Sequence, residues 1–213
     1  MSPQTQHKSG VALLEVDTQA DFMLPGGKLY VPGAEKRIPN MLRLVNAAAA
    51  DGIFIVSSTD QHAADDPEFS RFPPHCVRGT PGAQIVPELK LNKFLSVANG
   101  PEAKIPSNVF EFQQLNLEKQ TLDVFDNPAT EKLLREFPAD CEFVTFGVVT
   151  EFCVQLAAKR LLEHGRRVAL VTDAIETLDA KEGEKTLNGL VGRGARLITT
   201  NDALKLMRQA ILR

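Results

Sequence analysis

A single cysteine next to a strand-to-helix junction is the first candidate for chemistry. The sequence GVVTEFC, from Gly147 to Cys153, joins a predicted strand to a predicted helix, with Thr150 placed as the helix N-cap. In a first helical turn, unpaired backbone N–H groups and the helix dipole stabilise a thiolate and lower a cysteine pKa from ~8.5 to roughly 3.5–7.5. The same N–H groups could hold an oxyanion. The alternative interpretation is a small buried cysteine at a tight junction, since free cysteines are commonly buried.

A carboxylate at the end of another predicted strand is the candidate general base. Asp17 directly follows the apolar run Val11–Val16. A carboxylate in an apolar cleft beside a thiol can take the thiol proton and later deliver it to a leaving amine. Taken alone, an aspartate after a strand is more often a turn or cap residue, so Asp17 gains weight only if it meets Cys153.

An aspartate and two histidines suit a metal ion. Asp60 and His62 follow a second apolar run, and because alternate strand residues share a face, both side chains are expected to point the same way. His75, in the sequence FPPH, could supply a third ligand. One carboxylate and two imidazoles with open positions suit zinc, iron or manganese bound to water or substrate. The alternative interpretation is a pair of solvated loop histidines.

The elements that must position these residues alternate between strands and helices. Short apolar runs predict strands, and apolar residues at i, i+3, i+4 and i+7 predict helices. The predicted strands are 11–16, 53–56, 143–146, 168–171 and 195–198, and the predicted helices are 34–50, 151–164 and 181–191. This alternation predicts an α/β fold, a single-domain, doubly wound, mostly parallel sheet with helices on both faces.

The stretch from about residue 60 to residue 118 lacks this rhythm. It is rich in proline and shows little periodicity, which predicts a long loop of the kind that often carries function. Its acidic residues are interpreted as a solvated face of the loop: Asp65, Asp66 and Glu68. Ligands bind outside the carboxyl ends of strands in open α/β sheets, and three candidate residues fall at such ends: Asp17, Asp60 and Cys153.

Composition narrows the class of protein. The 213 residues carry a net charge of −3 without a basic stripe, which argues against a nucleic-acid partner. No apolar run approaches the ~20 residues that span a bilayer, and residues 1–10, which include His7, are polar and are expected to form a disordered tail. Three cysteines without a CxxC spacing favour free thiols in a reducing cytosol. We therefore expect a cytoplasmic protein with one domain over residues 11–213.

Four ordered blocks of sequence resemble the isochorismatase-like cysteine hydrolases and, within them, the nicotinamidases. The blocks are LEVDTQADF with PGGKL at residues 14–29, DQH at 60–62 with FPPHCVRGTPGA at 72–83, Lys119 followed six residues later by Phe125, and GVVTEFCV at 147–154. The similarity extends from about residue 11 to residue 202. It implies the fold predicted above and an enzyme that hydrolyses a non-peptide amide.

The resemblance also implies roles for individual residues. Asp17, Lys119 and Cys153 would form a catalytic triad, with Lys119 holding the thiolate and the developing charge electrostatically. A cis peptide between Val148 and Val149 would place the N–H groups of Val149 and Cys153 as an oxyanion hole. Two phenylalanines would flank a planar substrate ring: Phe22 and Phe72. The family's divalent metal, zinc above iron or manganese, would bind Asp60, His62 and His75. Lys104, in a proline-rich loop, is the competing lysine.

Three functions compete at this level. The leading one is a metal-containing amidase that converts nicotinamide and water to nicotinate and ammonia through an acyl-thioester. The second is a metal-free amidase that acts on a carbamoyl or other small amide with the same triad. The third is a non-catalytic small-molecule-binding module. The sequence leaves the exact substrate and the formation of a homo-oligomer open.

Overall fold

A computed structural model describes residues 9–212 of the chain. Its strands are β1 (Val11–Val16), β2 (Ile55–Asp60), β3 (Phe94–Val97), β4 (Gln114–Lys119), β5 (Glu142–Gly147), β6 (Arg167–Ile175) and β7 (Arg196–Ile198). Its α-helices are α1 (Ala20–Met23), α2 (Ile38–Asp51), α3 (Pro128–Arg135), α4 (Gln155–Glu163), α5 (Ala180–Val191) and α6 (Thr200–Ile211). The predicted tail lies almost wholly outside the described residues, and His7 lies outside them.

The strands form one parallel sheet in the order β3-β4-β2-β1-β5-β6-β7. Helices α2 and α6 pack on one face, where they bury residues such as Met41 and Met207. Helices α3, α4 and α5 cover the other face with residues such as Leu133, Leu161 and Leu190. The predicted doubly wound α/β sheet is confirmed.

The chain reverses its direction of travel across the sheet between β1 and β5. Strand β1 lies beside both β2 and β5, with Val16 paired to Ser58 on one side and to Gly147 on the other. A Cβ at Gly147, which has φ +122°, would collide with the carbonyl of Val16, so only glycine fits there. Crevices at such reversals are where open α/β sheets bind ligands.

Strand β2 lies later than predicted. It begins at Ile55 and continues through the hydroxyl residues Ser57, Ser58 and Thr59 to Asp60. These polar residues are buried because other strands accept their hydrogen bonds: Ser57 donates to Glu15 at 2.6 Å and Ser58 to Asp17 at 2.7 Å. An apolar run alone therefore marks only the first part of this strand.

The predicted loop from residue 60 to residue 118 contains two strands, so that prediction is wrong in part. β3 is the edge of the sheet, and β4 lies inside it between β2 and β3. The sequence QLNLEK of β4 places Leu115 and Leu117 in the core while Gln114 and Asn116 are buried in hydrogen bonds. The rest of the segment is not structureless either, because short 3-10 turns punctuate it at Pro67–Ser70, Pro81–Ala83, Pro87–Leu89 and Val109–Glu111.

Candidate active site

Polar side chains from four neighbouring strands meet at the carboxyl edge of the sheet. Asp17 follows β1, Asp60 ends β2, Lys119 ends β4 and Cys153 lies in the turn after β5. Parallel register places Asp60 directly beside Lys119. Asp17 itself adopts φ +50°, a left-handed conformation that is uncommon outside glycine and concentrates at functional sites.

The structure brings together the three residues predicted as a triad. Lys119 Nζ lies 2.9 Å from Asp17 Oδ2 and 3.6 Å from Cys153 Sγ. Asp17 Oδ1 accepts a hydrogen bond from Ser58 at 2.7 Å, whereas its buried Oδ2, apart from the ion pair with Lys119, receives no well-directed hydrogen bond from the residues that the structure describes. This second oxygen therefore keeps a lone pair for a proton from the neighbouring thiol.

Burial and charge determine the protonation states of the triad. Burial, reinforced by the Asp60 charge and opposed by Lys119, raises the pKa of Asp17. Burial and the Asp17 carboxylate raise the pKa of Cys153 well above its usual value, although Lys119 lowers it. For Lys119, burial would lower the pKa, but Asp17 and Asp60 raise it well above the ordinary value. The resting site thus pairs a neutral thiol with a carboxylate of increased basicity and a charged lysine.

The turn that carries Cys153 differs from the prediction in two ways. Residues Thr150–Val154 form a π-type turn, kinked at Phe152 (φ −123°, ψ −105°), and the regular helix begins only at Gln155. Thr150 is not an N-cap, because its hydroxyl donates to the Glu176 carbonyl at 2.7 Å. Since no ordinary helix N-terminus points at the sulfur and two carboxylates surround it, the expected lowering of the Cys153 pKa is wrong. The peptide between Val148 and Val149 is cis, as the resemblance implied.

The three residues predicted as metal ligands converge in a buried cluster. One nitrogen or oxygen atom from each of Asp60, His62 and His75 lies within 4.8 Å of the others. Nε2 of His62 and Nε2 of His75 lie 3.9 Å and 3.8 Å from the same Asp60 oxygen, Oδ2. These separations are too long for hydrogen bonds but are within reach of two ligands that share an ion at about 2.0–2.2 Å.

The surroundings of the histidines fit a divalent metal. Within residues 9–212, neither buried ring nitrogen of His62 makes a well-directed hydrogen bond, although Nδ1 lies 3.0 Å from Asp66 Oδ2. His75 Nδ1 donates to the Pro73 carbonyl at 2.8 Å, which leaves Nε2 free to coordinate. Outer partners of this kind fix the tautomer and the ring orientation of metal-binding histidines. Asp60 remains ionised, because Lys119 and both histidines overcome the effect of burial and lower its pKa.

The acidic residues that precede His75 are not simply a solvated face, and this prediction needs correction. Asp66 stands beside His62, and Glu68 is partly buried in the wall of the pocket described below. Burial and the Asp60 charge raise the pKa of Glu68. Only Asp65 is exposed as expected. The 3-10 turn at Pro67–Ser70, which folds Glu68 back toward the sheet, has no periodicity that a sequence would reveal.

A pocket opens above the triad and the metal cluster, and the empty space within it and at its open mouth is about 580 Å³. Asp17, Cys153, Asp60 and His75 lie at its polar end. Apart from Glu68, the rest of the wall is mainly apolar. It includes both phenylalanines predicted to flank a ring and residues of the nucleophile turn: Phe22, Leu29, Tyr30, Val31, Phe72, Leu122, Val148, Val149, Phe152 and Leu178. Nothing in the structure assigns a ligand to Phe22 or Phe72, so their role remains a prediction.

The competing residues lie elsewhere. Lys104 is exposed and pairs with Glu102 at 3.8 Å. Cys76 and Cys141 are free and buried like Cys153, as expected for unpaired thiols, but they are outside the pocket. Burial raises the pKa of Cys141 to about 12. Among the described residues, no helix is long and apolar enough to cross a bilayer.

Comparisons with known proteins identify the family of this chain. Residues 11–202 match the isochorismatase domain family. The nicotinamidase of Escherichia coli (strain K12) is 26% identical, with 90% of this chain and 95% of that protein covered. The nicotinamidase/pyrazinamidase of Mycobacterium tuberculosis is 29% identical over 76% of this chain and 84% of its own. The crystal structure of Pyrococcus horikoshii pyrazinamidase in complex with zinc is 27% identical with a TM-score of 0.72, covering 89% of this chain and 99% of that one. The chain therefore belongs to the isochorismatase family and is a hydrolase of that family.

Proposed function

We propose that this protein is a cysteine amidohydrolase of nicotinamidase type, which converts nicotinamide and water to nicotinate and ammonia. The observation that carries the proposal is the shared pocket, in which an Asp17–Lys119–Cys153 triad lies next to an Asp60–His62–His75 cluster. A triad alone would serve any small amide. A metal cluster beside it suits an amide whose ring carries a nitrogen ligand.

The chain's own residues supply the acyl transfer. Asp17 Oδ2 takes the thiol proton as Cys153 Sγ attacks the amide carbonyl. The backbone N–H groups of Val149 and Cys153 hold the resulting oxyanion. Asp17 then returns its proton to the leaving amine, ammonia departs, and a water molecule activated by Asp17 hydrolyses the thioester to free Cys153.

Lys119 makes this proton transfer favourable. Because the thiol is neutral at rest, negative charge moves from Asp17 onto sulfur during the attack. Lys119 Nζ lies within 3.6 Å of both the donor and the acceptor of that charge, so it stabilises the ion pair before and after the transfer. Its two carboxylate neighbours keep it protonated throughout.

Asp60, His62 and His75 would hold a divalent ion, with zinc favoured over iron or manganese because imidazole and carboxylate suit it. Such an ion would offer an open coordination position to a ring nitrogen, which would help to position the carboxamide toward Cys153. Phe22 and Phe72 would lie against the two faces of the ring. The zinc-containing pyrazinamidase structure supports a metal here.

The charge of the pocket favours an uncharged substrate. Of the described residues that line it, three are carboxylates (Asp17, Asp60 and Glu68) and none is Lys or Arg. Lys119 lies beneath the floor and is already paired with two of them. An amide that also carries a carboxylate would find no free Lys or Arg side chain among the described lining residues, and three carboxylates would repel it. A neutral ring carboxamide meets no such penalty.

The test is ammonia release by the purified, metal-loaded protein from nicotinamide and from maleamate, an amide with a free carboxylate. We expect turnover of nicotinamide with one nicotinate formed per ammonia, and a much lower kcat/KM for maleamate. Preference for maleamate would replace the proposal with the metal-free amidase. Hydrolysis of no amide at all would leave a binding module.

A further inference from the structure

Leu178 is an apolar residue in an unusual place. Its side chain is 55% exposed, yet it forms part of the pocket wall. It lies in the short connection between β6 and α5, which has no regular structure of its own. When a ligand covers apolar surface at the mouth of a pocket, the burial lowers the free energy of binding.

The connection that carries Leu178 is fastened to the nucleophile turn. Glu151 Oε1 accepts hydrogen bonds from the backbone N–H groups of Leu178 (2.8 Å) and Asp179 (2.9 Å). Its Oε2 accepts from the Thr177 hydroxyl at 2.6 Å. Thr150 adds two bonds to the carbonyl of Glu176, one from its hydroxyl at 2.7 Å and one from its backbone N–H at 2.9 Å.

These five hydrogen bonds join two parts of the site that are far apart in sequence. Thr150 and Glu151 lie in the same turn as Cys153, whereas Leu178 forms the outer wall. We call these five hydrogen bonds the bracket. The wall can move relative to the nucleophile only if the bracket breaks. The bracket fixes the width of the pocket between the sulfur and the wall.

We infer that Leu178 is a specificity-determining residue that covers the substrate ring, and that Glu151 is a positioning residue that holds Leu178 in register with Cys153. The inference rests on the proposed function for the identity of the ring. Leu178 contacts the ring and no reacting atom, so it binds the ground state and the transition state equally. Contacts of this kind change KM and leave kcat unchanged.

The first test compares Leu178→Ala with Leu197→Ala, a matched change of an exposed leucine that lies outside the pocket. We expect Leu178→Ala to raise KM for nicotinamide about ten-fold, the effect of losing most of one leucine contact, with kcat changed less than about two-fold. Leu197→Ala should change neither constant, and both variants should keep the wild-type Tm within a degree or two. An unchanged KM in Leu178→Ala would overturn the role of Leu178.

The second test separates positioning by Glu151 from acid–base chemistry. Glu151→Ala removes the two oxygens that accept these three hydrogen bonds, so it should raise KM and lower kcat together, because the wall and the nucleophile turn are no longer connected through this side chain. Glu151→Gln keeps an amide oxygen that can accept from both backbone N–H groups, and it should restore both constants to within about three-fold of wild type. Glu151→Gln as impaired as Glu151→Ala would show that the charge acts in the reaction and would overturn the positioning role.

The two proposals fail separately. If the wild type does not hydrolyse nicotinamide, the proposed function is wrong, and the same four variants are then compared on maleamate, the other amide tested. If the wild type hydrolyses nicotinamide and Leu178→Ala keeps its KM, only the inference about the wall is wrong.

Discussion

The triad and the metal cluster of the pocket differ in how their charges are balanced. In the triad, Lys119 forms ion pairs with Asp17 and Asp60 and contacts the sulfur of Cys153. Each charge therefore has a partner within the chain. In the metal cluster, two histidine nitrogens point at one oxygen of Asp60 without bonding to it. The charges of the triad are thus balanced within the chain, whereas the ligand atoms of the cluster suit a divalent cation.

Asp60 belongs to both groups. Its Oδ1 pairs with Lys119 and its Oδ2 faces His62 and His75. One carboxylate therefore sets the distance between the group that performs the chemistry and the group that places the ring. The division of labour that follows is that loss of a triad residue stops the chemistry, whereas loss of a cluster residue weakens the choice of substrate.

The largest effect is expected at the nucleophile. Cys153→Ala should lower kcat for nicotinamide by roughly a thousand-fold or more, because members of a catalytic unit are not replaceable one at a time. Its metal content and Tm should match the wild type, since a methyl group replaces a thiol outside the cluster. Steady-state kinetics and elemental analysis check both halves. An active Cys153→Ala protein would contradict the cysteine mechanism.

Lys119→Met should follow, with a loss of roughly a hundred- to a thousand-fold in kcat/KM. Removing the cation raises the already high pKa of Cys153 further, so alkylation of the thiol should begin at higher pH. The variant should also lose about 3 kcal/mol or more of stability, because two buried carboxylates lose their partner. Lys104→Met, at an exposed lysine, is the control and should change neither property.

His62→Ala tests the cluster. The wild type should bind about one divalent ion per chain, and the variant should lose it, because only two ligands remain. Hydrolysis of nicotinamide should fall by roughly ten- to a hundred-fold through misplacement of the ring. The rate at which iodoacetamide alkylates Cys153 should stay close to wild type. If the wild-type protein hydrolysed nicotinamide equally well without metal, the cluster would have no role in placing the substrate.

The smallest expected effect is a shift in pH dependence. Asp17 must be ionised to accept the thiol proton, so kcat/KM falls as pH drops through its raised pKa. Ser58→Ala removes a hydrogen bond that favours the carboxylate, so the Asp17 pKa rises and the acid limb should move to higher pH by about one unit. The Ser57 hydroxyl donates to Glu15 instead, so Ser57→Ala should leave the acid limb of the pH profile unchanged. Equal shifts in both variants would contradict the assignment of Asp17 as the base.

The sequence predicts the fold best where the patterns are regular. The apolar runs of β1, β5 and β6 and the amphipathic pattern of α5 are examples. It fails for β4, because Gln114 and Asn116 look like surface residues and are buried only through partners on β1, β2 and β3. Long-range hydrogen bonds of this type have no local signature. The same reason explains why the hydroxyl half of β2 escaped prediction.

The site was predictable in its members more than in its details. The positions of Asp17, Asp60 and Cys153 follow from the rule that strand ends meet, and Lys119 came only from the family resemblance. The π-type turn, the pairing of Asp66 with His62 and the bracket from Glu151 to Leu178 depend on how loops fold back. Each joins side chains or loops whose conformation no sequence period specifies.

Placement of the ring by the metal cluster is tested most directly by comparing nicotinamide with benzamide, which lacks the ring nitrogen, in the wild type and in His62→Ala. If the triad acts on a ring placed by the metal cluster, wild-type kcat/KM should favour nicotinamide by about a hundred-fold. In His62→Ala, kcat/KM for nicotinamide should fall to the low value for benzamide, whereas kcat/KM for benzamide should stay nearly unchanged. A nicotinamide preference that survives in His62→Ala, or equal hydrolysis of both amides by the wild type, would contradict the claim.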